Sequence, residues 1–138
     1  MTIISKTPVS KKPNLYAGFH KDLRISPISK DLALLKDEDA VKQSIKNLIL
    51  TDPGERLMQP FIGGGIRELL FENITPGVLK TIETRCKNTI TTYEPRAEII
   101  DVTATSEYDD NTVRVLIKFY IRNVDRPITL DVILERIR

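Results

Sequence analysis

An α+β fold is predicted for this chain of 138 residues, with two main helices and a short one packed on a C-terminal three-stranded antiparallel β-meander. Three features carry that prediction. Apolar residues recur every three or four positions in two stretches between Val41 and Tyr93, which is the period of a helix face. After Pro95 the period drops to two, the alternation of a half-buried strand. Turn-forming clusters, among them Asp52-Pro53-Gly54 and Gly63-Gly64-Gly65, fall between these stretches.

Residues 1–15 hold Pro8, Pro13 and three lysines with no apolar period, which reads as an extended N-terminal arm ahead of one domain over 16–138. Composition favours a frayed terminus over a partner-binding arm. From Tyr16 to Leu35, short apolar bursts are broken by Gly18 and Pro27. Leu32 and Leu34 alternate with Asp31 and Ala33, so irregular structure with one short strand is expected.

Asp37-Glu38-Asp39 places carboxylates where a helix N-terminus favours negative charge. Val41, Ile45, Leu48 and Ile49 then share one helical face, and Asp52-Pro53-Gly54 ends it. Gly63-Gly64-Gly65 is expected to make a flexible elbow and close backbone turn before a short helix, Ile66 to Phe71. A phosphate-cradling role is disfavoured, because Pro60 precedes the glycines and Arg67-Glu68 follows instead of a lysine. Thr75-Pro76 starts the long helix, whose stripe is Leu79, Ile82, Cys86, Ile90 and Tyr93; Pro95 stops it.

In the sheet, Ile100, Val102 and Ala104 are expected to face one side, with Asp101, Thr103 and Thr105 on the other. Asp109-Asp110-Asn111 turns the chain into Val113, Val115, Ile117, Phe119 and Ile121, the clearest strand. A second turn over 123–127 leads to Ile128, Leu130, Val132 and Leu134. One face of the meander is then apolar and the other polar.

Composition excludes several function classes. A chain of this length buries roughly two-thirds of its unfolded surface, enough for a core without disulfides or metal. Lys plus Arg number 21 and Asp plus Glu 19, a net charge of +2. That balance is too even for a nucleic-acid footprint, and Lys6, Lys11 and Lys12 lack interleaved aromatics. The single cysteine forms no internal disulfide, which fits a reducing cytoplasm. No apolar run approaches the roughly 18 residues of a membrane span, and no secretory core follows Met1. No nucleic-acid or membrane partner is expected.

Catalytic and metal motifs are equally sparse. One histidine, His20, and one cysteine, Cys86, are too few for a single-chain zinc site or a Cys/His pair. Cys86 lies on the apolar stripe and reads as a core residue. Glu55, Glu72 and Glu94 lie near element ends and are the carboxylates a glycosidase would draw on. Glu94-Pro95-Arg96 puts an anion, a rigid turn and a planar cation at the junction of helix and sheet. Read as structure, it is a helix stop whose charges pair within the fold; read as function, it is a hinge that grips a partner.

The ordered set Thr51-Asp52-Pro53-Gly54-Glu55-Arg56, Gly63-Gly64-Gly65-Ile66, Leu70-Phe71-Glu72 and Tyr93-Glu94-Pro95-Arg96 resembles the sheath-initiator baseplate wedge family of contractile-tailed phages. That family is sometimes labelled lysozyme-like, and the likeness runs from about Gly18 to the C-terminus. It implies a structural virion protein, not an enzyme, with no cofactor and six copies in the tail baseplate. Assembly would take place in the host cytoplasm. It further implies that Glu94, Pro95 and Arg96 dock on the helical core of the wedge proteins. Strand addition from the first ring of sheath subunits would fall on Ile128, Thr129, Leu130, Asp131, Val132, Ile133 and Leu134, with the tail tube a further neighbour. A baseplate-carried peptidoglycan glycosidase is the alternative, and a scaffold in a type VI secretion or contractile bacteriocin particle is a third, weaker one that the sequence does not separate from a phage.

Overall fold

The computed structural model describes residues 16–107, 112–122 and 124–136. The expected arm over 1–15, the turn at Asp109-Asp110-Asn111 and Asn123 of the second turn lie outside them. The elements run β1 (Ala17–Phe19), β2 (Leu34–Lys36), α1 (Glu38–Leu50), α2 (Ile66–Leu70), α3 (Pro76–Tyr93), β3 (Ala97–Glu107), β4 (Thr112–Ile121) and β5 (Ile128–Glu135). β1 pairs with β2, and β3-β4-β5 form an antiparallel meander with β4 at its centre. The architecture is the α+β arrangement that the change of period predicts.

Each helix forms for a local reason and is kept by packing. Val41, Ile45, Leu48 and Ile49 of α1 are buried. Asp37 occupies the N-cap position with φ 48°, but its carboxylate makes no cap bond. Instead Oδ1 accepts the Tyr16 N–H at 3.2 Å, while the Asp37 N–H donates to the Tyr16 carbonyl at 2.8 Å. The chain entering β1 is thereby fastened to the start of α1. In α3, Thr75 Oγ1 accepts the Val78 N–H and Pro76 sits in the first turn, where its missing donor costs nothing. Ile82, Cys86 and Ile90 are fully buried.

Two expectations are corrected. The region before α1 contains two short strands, not one, plus an isolated bridge between Ile25 and Leu32. β1 is three residues long and pairs with residues 34–36, so its partner cannot be read from local period. In β3, Ile100 is not part of the inward alternation. Ile99 pairs with Phe119 and Asp101 with Lys118, leaving Ile100 as the extra residue of a β-bulge, half-exposed. The bulge switches the inward side from odd to even positions: Ala97 is buried and Ile99 partly so before it, Val102 and Ala104 are buried after it. The strand therefore starts at Ala97, earlier than alternation from Ile100 implies.

The helices cover the apolar face of the meander. Ile45, Ile49, Ile66, Ile82 and Ile90 meet Val115, Ile117, Phe119 and Val132 in one core. Burying each such side chain contributes about 1.5–3 kcal/mol. The opposite face carries Arg114, Lys118, Tyr120, Thr129 and Asp131, all exposed.

Candidate functional site

Glu94 caps the C-terminus of α3 and is 2 % exposed. Its carboxylate is held on two sides. Arg96 donates Nε to Oε1 at 2.5 Å and an Nη to Oε2 at 2.8 Å, and Ser44 Oγ of α1 donates to Oε2. Burial pushes the Glu94 carboxyl up, but the Arg96 and Ser44 hydrogen bonds and the guanidinium charge outweigh it and hold it below the ordinary value. The Arg96 guanidinium stacks over the Tyr16 ring at 5.4 Å, and its carbonyl accepts the Arg122 N–H. Of the three motif residues, Glu94 is turned inward as a structural lock, while Pro95 is exposed and Arg96 half-buried.

The meander has two edges, and they differ. On β3, Glu83 of α3 reaches across so that its Oε1 accepts the Ala104 N–H at 2.9 Å. On β5, no further strand pairs among the described residues. Hydrogen-bond parity shows which β5 groups face outward. The Arg122 N–H bonds Arg96 across the Ala97/Ile121 pair, and the Ala104 N–H points away from its partner Val115. Neither pair exchanges bonds, so Val115, Ile117 and Phe119 direct theirs toward β5. In β5, Leu130 and Val132 face β4, and Thr129, Asp131 and Ile133 present N–H and C=O outward. A cleft of about 400 Å³, lined in part by Ile49, Ile66, Leu70 and Ile133, opens beside that edge.

The remaining residues singled out by sequence are placed as follows. Glu55 accepts the Asp52 N–H and pairs with Arg67, and Glu72 lies exposed just beyond α2. A glycosidase general acid needs a raised pKa, and the shift at Glu94 runs the other way. Cys86 is buried, and burial pushes its thiol up to about 12, with the Glu83 charge adding to the effect. The His20 Nδ1 accepts the Asp22 N–H on an exposed loop. Among the described residues no group of three or more His, Cys, Asp or Glu side chains is placed to hold a metal, and no helix is long and apolar enough to cross a membrane.

Three contributors were not visible from sequence. Ser44, Tyr16 and Glu83 carry no motif, and their partners lie 50, 80 and 21 positions away. A carboxylate beside the apolar stripe of α3 was the single available hint for Glu83.

Fold and site together define the class: a small α+β module, with helices on one face of a meander and a Glu-Pro-Arg corner where the long helix enters the sheet. The chain belongs to the gp25 family of baseplate wedge proteins, whose family model matches residues 35–126. It is 31% identical over 127 residues to the baseplate wedge protein gp25 of Enterobacteria phage T4, spanning 92% of this chain and 88% of that relative. Among solved structures, a protein of Geobacter sulfurreducens described as a candidate tail lysozyme is similar at TM-score 0.71 and 28% identity, over 78% of this chain and 97% of that one. A chain of the anti-feeding prophage baseplate is similar at TM-score 0.62 and 28% identity, over 89% and 87% of the two chains.

Proposed function

We propose that this protein is a structural, non-catalytic wedge component of a contractile-tail baseplate that starts sheath polymerisation. The corner of Glu94, Pro95 and Arg96 attaches to the wedge core through Pro95 and Arg96, with the inward-turned Glu94 holding Arg96 in place. The β5 edge, Ile128 to Leu134, receives a strand from the first sheath ring. Six copies around the tube turn modest contacts into a template by avidity. The protein resides in the virion baseplate after assembly in the host cytoplasm.

The observation that carries this reading is the difference between the two edges. An open edge is a hazard that monomeric proteins blunt, and main-chain pairing at such an edge is a standard mode of recognition. Here Glu83 blunts β3, while β5 keeps three outward positions unpaired by any strand among the described residues. Asp131→Pro removes one outward N–H without taking a bond from the β4 ladder. The variant is expected to enter baseplates and to block sheath growth. Sheaths of normal length on baseplates carrying it would overturn the strand-addition reading.

The lysozyme-like description of one relative favours a second reading, cleavage of peptidoglycan. Turnover of purified peptidoglycan by this protein, abolished by Glu55→Gln, Glu72→Gln or Glu94→Gln, would establish it. None is expected.

A further inference from the structure

Residues 51–64 form a compact loop closed on itself. The Gly64 N–H bonds the Thr51 carbonyl at 3.2 Å, and the N–H groups of Gly54, Gln59 and Ile62 bond the carbonyls of Pro60, Arg56 and Gln59. Arg67 braces the loop through Asp52 and Glu55, at 3.4 and 3.7 Å. Three residues of α3, each about one turn apart, hold its returning side. Arg85 donates to the Gly65 carbonyl, Thr89 lies against Gly64, and Tyr93 Oη donates to the Phe61 carbonyl at 2.8 Å. Such a loop keeps its shape through its own hydrogen bonds. Yet Leu57, Met58 and Phe61 stand 98%, 95% and 84% exposed on it. None of the interactions that order the loop uses those side chains. Isolated exposed apolar residues need no explanation, but three large ones within five positions mark a contact surface.

We propose that the Leu57-Met58-Phe61 tip inserts into an apolar groove on a neighbouring baseplate protein, bordered by a carboxylate that meets Arg56, and forms one docking surface with Pro95 and Arg96. The inference rests on the baseplate reading above and names the chemistry of that partner. Continuity comes from α3: Tyr93 holds the Phe61 backbone, and the next residue is Glu94. Charge supplies the second argument. Asp52 and Glu55 are both engaged by Arg67, whereas Arg56 is exposed and forms no ion pair with a described residue. Side chains exposed to this degree protrude, so the partner provides the concavity. A two-fold contact with a second copy would bring the same patch, and two Arg56 cations, face to face, which disfavours that occupant.

The test uses baseplates assembled without sheath, with the variants competing against wild type. Leu57→Ser/Met58→Gln/Phe61→Ser is expected to keep the wild-type circular dichroism and Tm while its incorporation falls at least about tenfold, and Arg56→Glu to fall several-fold. If the triple variant is incorporated normally and Arg96→Ala is not, the tip proposal is overturned and the corner reading stands. If both are incorporated normally, both are overturned. A measurement on the unmodified protein decides the matter even where a variant folds poorly. Hydroxyl-radical oxidation of Met58 is expected to be at least about fivefold slower in sheathless baseplates than in the free protein. Equal oxidation, or protection that appears only after sheath is added, overturns the proposal.

Discussion

Ser44 Oγ donates a hydrogen bond to Oε2 of Glu94, joining the middle of α1 to the end of α3 across 50 positions of sequence. Arg96 closes the other side of the same carboxylate, and Tyr16 covers Arg96. The corner from which the sheet departs is therefore a four-residue unit contributed by the β1 entry, α1, the C-cap of α3 and the turn leading into β3.

Removing one charge from this unit leaves the other buried and unpaired. Arg96→Ala is expected to destabilise the protein by about 2–3 kcal/mol, somewhat below a fully buried pair because Arg96 is about one-third exposed. Adding Glu94→Gln to that variant removes the stranded carboxylate, and part of the loss returns. Urea unfolding of the two variants checks both statements. A double variant no more stable than Arg96→Ala would show that the carboxylate is not the source of the loss.

Acid weakens the same corner. The folded Glu94 carboxyl lies below its ordinary value of 4.5, so its contribution is complete above about pH 5 and is lost as pH falls through 4.5 toward the folded value. Glu38, lowered by its hydrogen bond from Lys42, adds in the same direction. Stability measured between pH 7 and pH 3 is expected to drop toward the acid end, with a shallower slope in Glu94→Gln. Equal slopes for the two proteins would contradict the assignment.

Gly63 is required by geometry. Its φ is 141°, and a Cβ there would stand 2.5 Å from the Thr51 carbonyl oxygen. Gly63→Ala is expected to cost about 2 kcal/mol or more and to lower Tm accordingly, since the close approach closes the 51–64 loop. A calorimetric Tm within a degree or two of wild type would remove this role.

Cys86 is a core side chain whose thiol is pushed up to about 12 by burial. At pH 8 only about one in ten thousand such groups is a thiolate, and access is closed as well. An aromatic disulfide reagent is expected to label the folded protein only as fast as it opens. Prompt stoichiometric labelling would place Cys86 at a reactive site.

Most of the fold was legible because it is written in short-range period. The stripes of α1 and α3, the Thr75-Pro76 start and the alternation of β4 each depend on neighbours within a few positions. The candidate corner was legible in part: Glu94-Pro95-Arg96 stood out as a charged helix stop, and the alternative of internal pairing was already visible. That Glu94 points inward, with Pro95 exposed and Arg96 half-buried, depends on Ser44 and Tyr16, which carry no motif.

By itself, then, the sequence determined the order of helices and strands, the apolar face of each and the corner between them, since these follow from local steric and hydrophobic preference. Tertiary structure decided the rest. It turned Ile100 to solvent through a bulge, paired β1 with β2, joined Glu83 to the β3 edge and left the β5 edge without a further strand among the described residues. Each of these depends on which distant backbone groups meet, and hydrogen-bond parity across a sheet is a property of the pairing, not of either strand alone.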